Sequence, residues 1–121
     1  MTNQEYMEAV KRSESINLQN IDPRLIHAAI GINTENGEFS DVVKKSLFYG
    51  RTLDKTNAIE ELGDILWYIN IACDVLDVTM EEVMERNINK LKVRYPKQFS
   101  QEAEQNRDLE KERKVLEEGV R

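Results

Sequence analysis

A chain of 121 residues, 40% hydrophobic, can bury one core but is too short for two, so a single domain is expected, possibly one shared between subunits. Its formal net charge of −6 excludes a surface built to neutralise nucleic-acid phosphates, so no nucleic-acid polymer is expected as partner. Free nucleotides stay accessible if a metal ion stands between the like charges.

Charged residues make up 33%, Gly and Pro are few (five and two), and apolar residues recur at helical spacing, which predicts an all-α fold. The first helix is predicted over about 2–18, opened by a Thr2/Glu5 capping box, with Tyr6, Met7, Val10 and Ile16 inward. Asp22-Pro23 is a stronger start signal, because Asp accepts from orphan N–H groups and Pro suits the first helical position. That second helix should reach about Phe48, with Gly50 ending it. Asp54 caps a third through about Leu76, with Ile59, Leu62, Leu66, Ile69 and Cys73 on one stripe, joined by Ile65, Ala72 and Leu76. Thr79 and Glu82 form another capping box, with Val78 as a staple, for a fourth helix that Pro96 stops. A four-helix, bundle-like domain over 1–99 follows.

Residues 100–121 are strongly polar and read as a charged C-terminal arm, helical or partly flexible, that leans on another subunit. No apolar run approaches the roughly 20 residues of a bilayer span, and "MTNQEYMEAVKRSES" lacks a signal-peptide core, so no membrane partner is expected. Cys73 has no second cysteine to pair with and sits among apolar neighbours, which points to a reducing, cytoplasmic setting.

Glu61 and Asp64 lie two turns beyond Asp54, where the helix dipole no longer rewards an acid, and Leu62, Ile65, Leu66 and Trp67 surround them. The preceding helix carries Glu35 and Glu38 at the same i, i+3 spacing, which stacks side chains on one face. Two such pairs on neighbouring helices can converge, and clustered carboxylates at a partly buried seam need a counter-charge. Oxygen-only ligands select a hard cation, Mg²⁺ first and Mn²⁺ second. A di-iron centre would need Glu-x-x-His pairs, whereas the only histidine, His27, has Arg24 three positions before it. Gly31, Gly37 and Gly63 beside the acids predict close backbone approach around the cluster.

Glu35-Asn-Gly-Glu38 followed by Glu61-Leu-Gly-Asp64, with "NINKLKVRYPKQF" downstream, resembles the MazG-like nucleotide pyrophosphohydrolases of the all-α NTP pyrophosphatase superfamily over about residues 25–99. The resemblance implies Mg²⁺-dependent hydrolysis of a nucleoside triphosphate between its α and β phosphates, giving monophosphate and pyrophosphate. It also implies that Glu35, Glu38, Glu61 and Asp64 are metal ligands or the base for attacking water. Glu38 and Glu61 are the catalytic candidates, and spacing alone does not choose between them. Lys45, Arg51, Lys90 and Arg94 are candidates for phosphate contacts, with Asn87 for sugar or base. Lys90 and Arg94 read equally as a solvated face. Tyr95, Trp67 and Tyr68 can stack on a base or serve core and interface, and His27 falls on the Gly31, Thr34, Glu38 face as a neighbour of the site or a structural residue.

Trp67, Tyr68, Ile71 and Val75 lie outside the main stripe of the third helix and predict a homodimer or homotetramer, which the resemblance also implies. A competing reading is a non-catalytic helical adaptor or regulator that binds nucleotide or a partner helix.

Overall fold

The computed structural model describes residues 1–120, and among them the chain forms six helices and no strand. They are α1 (Asn3–Ser13), α2 (Pro23–Tyr49), α3 (Lys55–Val75), α4 (Met80–Arg94), α5 (Gln101–Gln105) and α6 (Leu109–Glu117). The all-α expectation holds.

Most boundaries follow from local caps. Thr2 and Glu5 bond reciprocally at 2.6 and 3.2 Å, and Thr79 and Glu82 do the same at 2.7 and 3.1 Å. Asp22 accepts from the Arg24 N–H at 2.8 Å ahead of Pro23, and Gly50 closes α2 in the left-handed region at φ 66°. α1 ends earlier than its predicted limit near residue 18. The Ser13 hydroxyl donates to the carbonyls of Ala9 and Val10, the chain turns extended at Glu14, and Ile16 is exposed rather than inward.

α2 and α3 pack as an antiparallel pair, since the start of one meets the end of the other: Arg24 bridges Asp74 at 2.7 Å, and His27 meets the Tyr68 ring edge-on at 5.4 Å. Gly31 is what permits the close approach, because a Cβ there would collide with the Tyr68 ring. Gly37 and Gly63 differ from expectation: a Cβ at either meets nothing within 4 Å, so neither is required by packing within the chain.

The seam of α3 keeps part of the predicted stripe and leaves part of it exposed. Ile65, Ile69, Ala72 and Cys73 are buried or half-buried as expected, and Glu61 and Tyr68 join them, while Ile59, Leu62 and Leu66 are 69%, 46% and 52% exposed and Leu76 is exposed as well. Only Ala28, Val42 and Cys73 are buried apolar residues among those described, so a single chain leaves most of its apolar surface uncovered.

The second principal pair is α4 with α6. Glu112 of α6 is buried to 3% exposure and accepts from Arg94 Nε at 3.0 Å and Arg107 Nη2 at 2.7 Å. Those contacts from Arg107, then Arg94, hold its carboxyl down at about 2. The arm therefore docks on α4 of its own chain, where the sequence predicted a lean toward another subunit.

Candidate metal centre

Helical phase brings Glu35 and Glu38 of α2 opposite Glu61 of α3. Each offers one carboxylate oxygen, and the three oxygens lie within 4.8 Å of one another. Asp64, the fourth predicted ligand, is exposed and stands outside this trio, although its charge still contributes to raising the Glu35 carboxyl.

The electrostatics match crowded acids. Burial, then Glu38 and Glu35, pushes the Glu61 carboxyl up to about 7. Glu35 is raised as well, by its contact with Glu38 first, then by burial. Oε2 of Glu35 and Oε2 of Glu61 are both buried with no hydrogen-bond donor. Unpaired buried acceptors and an all-oxygen donor set fit a hard divalent cation, which would supply the positive charge these atoms lack.

The cluster opens on a cleft of about 580 Å³ that Thr34, Gly37, Glu38, Asp41, Asn57 and Glu61 help to line. An adjoining pocket of about 240 Å³ is bordered by Lys45, Arg51, Thr52 and Asp54, and the two share Val42 and Asn57 as a common wall. Lys45 is bonded to Asp41 at 2.6 Å, which holds the Asp41 carboxyl below its usual range. Arg51 is exposed at the pocket rim. Acids and cations thus meet along one groove between α2, α3 and their connection.

The α4 residues are placed differently. Asn87, Lys90, Arg94 and Tyr95 line neither of these two pockets. The Arg94 guanidinium is instead bonded to Glu112, through Nε at 3.0 Å and Nη2 at 3.3 Å. Tyr95 packs on Phe99 with centroids 5.5 Å apart. A further cavity of about 320 Å³ between α4 and α6 contains no member of the acidic cluster. Trp67 meets Tyr68 at 5.0 Å and is 59% exposed, so neither aromatic stands in the cleft. His27, exposed and edge-on to Tyr68, lines neither pocket.

Sequence reasoning missed Asn57. It lies one turn before Glu61 on the same helical face, and that i, i+4 relation is the signal that could have found it.

The profile of the MazG nucleotide pyrophosphohydrolase domain matches residues 27–99. The chain is also similar to the Gene 37 protein of Mycobacterium phage L5, with 34% identity over 92 residues, covering 69% of this chain and 76% of that protein. No solved structure matches.

Proposed function

This chain belongs to the MazG nucleotide pyrophosphohydrolase family, and from that premise we propose that it hydrolyses a nucleoside triphosphate between the α and β phosphates, releasing monophosphate and pyrophosphate. The observation that carries this reading is the convergence of Glu35, Glu38 and Glu61, with two buried oxygens lacking donors, beside a pocket bordered by Lys45 and Arg51.

Glu35 and Glu61 would hold Mg²⁺, or Mn²⁺, through those oxygens, with Asp64 joining at the exposed edge. The cation, when bound, neutralises phosphate oxygens and favours attack by water. In this reading Glu38 orients the water and accepts its proton, which its exposure and its position at the cleft support. Lys45 and Arg51 lie where a polyphosphate tail leaving the acids would run. Clearance of unwanted nucleotides in a cytoplasmic pool is the role this chemistry suits. No described helix is long and apolar enough to cross a membrane.

The assembly is a homodimer or a dimer of dimers in this proposal, supported by the uncovered Ile59, Leu62, Leu66 and Trp67 on α3. Asn87 and Lys90 would then reach substrate across a subunit boundary, whereas Arg94 and Tyr95 stay in the α4 contacts already described. A single monomeric species in sedimentation equilibrium refutes the assembly.

The central test is pyrophosphate release from a panel of ribo- and deoxyribonucleoside triphosphates, with Mg²⁺ and with a chelator. Turnover should need the metal, and Glu38→Gln should lower it by roughly 10²–10⁴-fold while helix content persists. No turnover with any nucleotide would favour the adaptor reading instead.

A further inference from the structure

We propose that Asn57 is a positioning residue for the metal centre: its side-chain amide donates to one oxygen of the Glu61 carboxylate and so orients the other toward the cation. The inference rests on the metal site proposed above and extends it to a residue outside the acidic set.

Asn57 sits in the first turn of α3, where its backbone N–H donates to Asp54 Oδ1 at 3.0 Å, so the capping interaction holds its backbone in place. One turn later comes Glu61. With the amide nitrogen toward the acids, Nδ2 reaches Glu60 Oε2 at 3.2 Å and Glu61 Oε1 at 3.1 Å. The opposite orientation would set the amide oxygen against carboxylate oxygens, acceptor against acceptor, so the donor assignment is the one the network requires.

The two oxygens of Glu61 are then unlike. With the amide in that orientation Oε1 has a donor, while Oε2 is buried without one in a residue only 8% exposed. A neutral amide orients a carboxylate without cancelling its charge, so the ligand stays available to a metal, whereas a lysine in the same place would compete with the ion. Bonding Glu60 as well ties the amide down on two sides. Asn57 is also part of the wall common to the acidic cleft and the Lys45/Arg51 pocket.

The test is Mn²⁺ titration of the full chain, followed by electron paramagnetic resonance, in wild type, Asn57→Ala and Asn57→Gln. Ala is a better helix former than Asn, which partly offsets the lost hydrogen bonds to Glu60 and Glu61, so helix content should persist and circular dichroism checks that the variant is folded before titration. Mn²⁺ affinity should weaken roughly 10–100-fold in Asn57→Ala, the usual cost of losing a hydrogen bond to a metal ligand. Asn57→Gln, which keeps a donor one methylene further out, should recover most of the loss.

Wild-type affinity in Asn57→Ala overturns the proposal, as does a Gln variant no tighter than Ala, or a melting temperature that falls while affinity holds. If wild type itself binds no Mn²⁺, the metal centre and this inference fall together. If it binds Mn²⁺ but turns over no nucleotide, the enzymatic proposal fails, and the role of Asn57 is still decided by the titration.

Discussion

A proton and a divalent cation compete for the same oxygens of Glu61, so metal affinity should weaken as pH is lowered through neutrality. Burial, reinforced by Glu38 and Glu35, sets the carboxyl at about 7 rather than the ordinary 4.5. Such a group is about nine-tenths protonated at pH 6 and about nine-tenths ionised at pH 8, so apparent Mn²⁺ affinity should fall about tenfold between pH 8 and pH 6. Glu35, also raised, would steepen the fall. A glutamate at 4.5 would stay ionised throughout that range and give no change.

The same proton governs the metal-free protein with opposite sign. Because the folded-state value lies above the unfolded one, the folded chain retains a proton that the unfolded chain has released. Stability without metal should therefore decline as pH rises from about 4.5 to about 7 and then level off. Added Mg²⁺ should raise the melting temperature more at pH 8 than at pH 6. Calorimetric Mn²⁺ titrations across pH 6–8, on wild type and on Glu61→Gln, provide the assay, with weak and nearly pH-independent binding expected of the variant. A wild-type affinity that is flat across this range refutes the reasoning, because Glu61 would then not ionise where its surroundings place it.

Gly31→Ala drives a methyl into the Tyr68 ring and should cost about 1–3 kcal/mol in urea unfolding, more than the helix-propensity gain returns. Gly37→Ala, which meets open space, should instead stabilise by about 0.4–1 kcal/mol in the same measurement. Glu112→Gln should loosen α6, seen as faster hydrogen exchange in residues 109–117. The contribution of Glu112 is fully present above its unfolded value of 4.5 and lost as pH falls through about 2, so the variant should also show a shallower acid decline over that window. Leu66→Glu places a charge on the exposed face of α3 and should shift sedimentation toward monomer; an unchanged assembly means that this face is not the interface.

Most helix ends, the fold class and three of the four acids named for the cluster were legible in the sequence, because caps, helical periodicity and i, i+3 pairs depend on groups three or four residues apart. The Thr2/Glu5 and Thr79/Glu82 boxes, Asp22 with Pro23, and the left-handed Gly50 are local arrangements, closed within a turn of the chain. The spacing of Glu35 with Glu38 carries the same kind of information. Apolar periodicity revealed only part of the face of α3 that meets α2: Ile59, Leu62 and Leu66 satisfy a stripe yet stay exposed, while Glu61 and Tyr68 join the seam, Tyr68 in close fit with Gly31. Glu112 reads as one charge in a charged segment, and its burial depends on Arg94, 18 residues away. Tertiary structure alone decided these points, since a contact between distant residues is set by how two helix surfaces fit in space, and no short stretch of chain holds both surfaces.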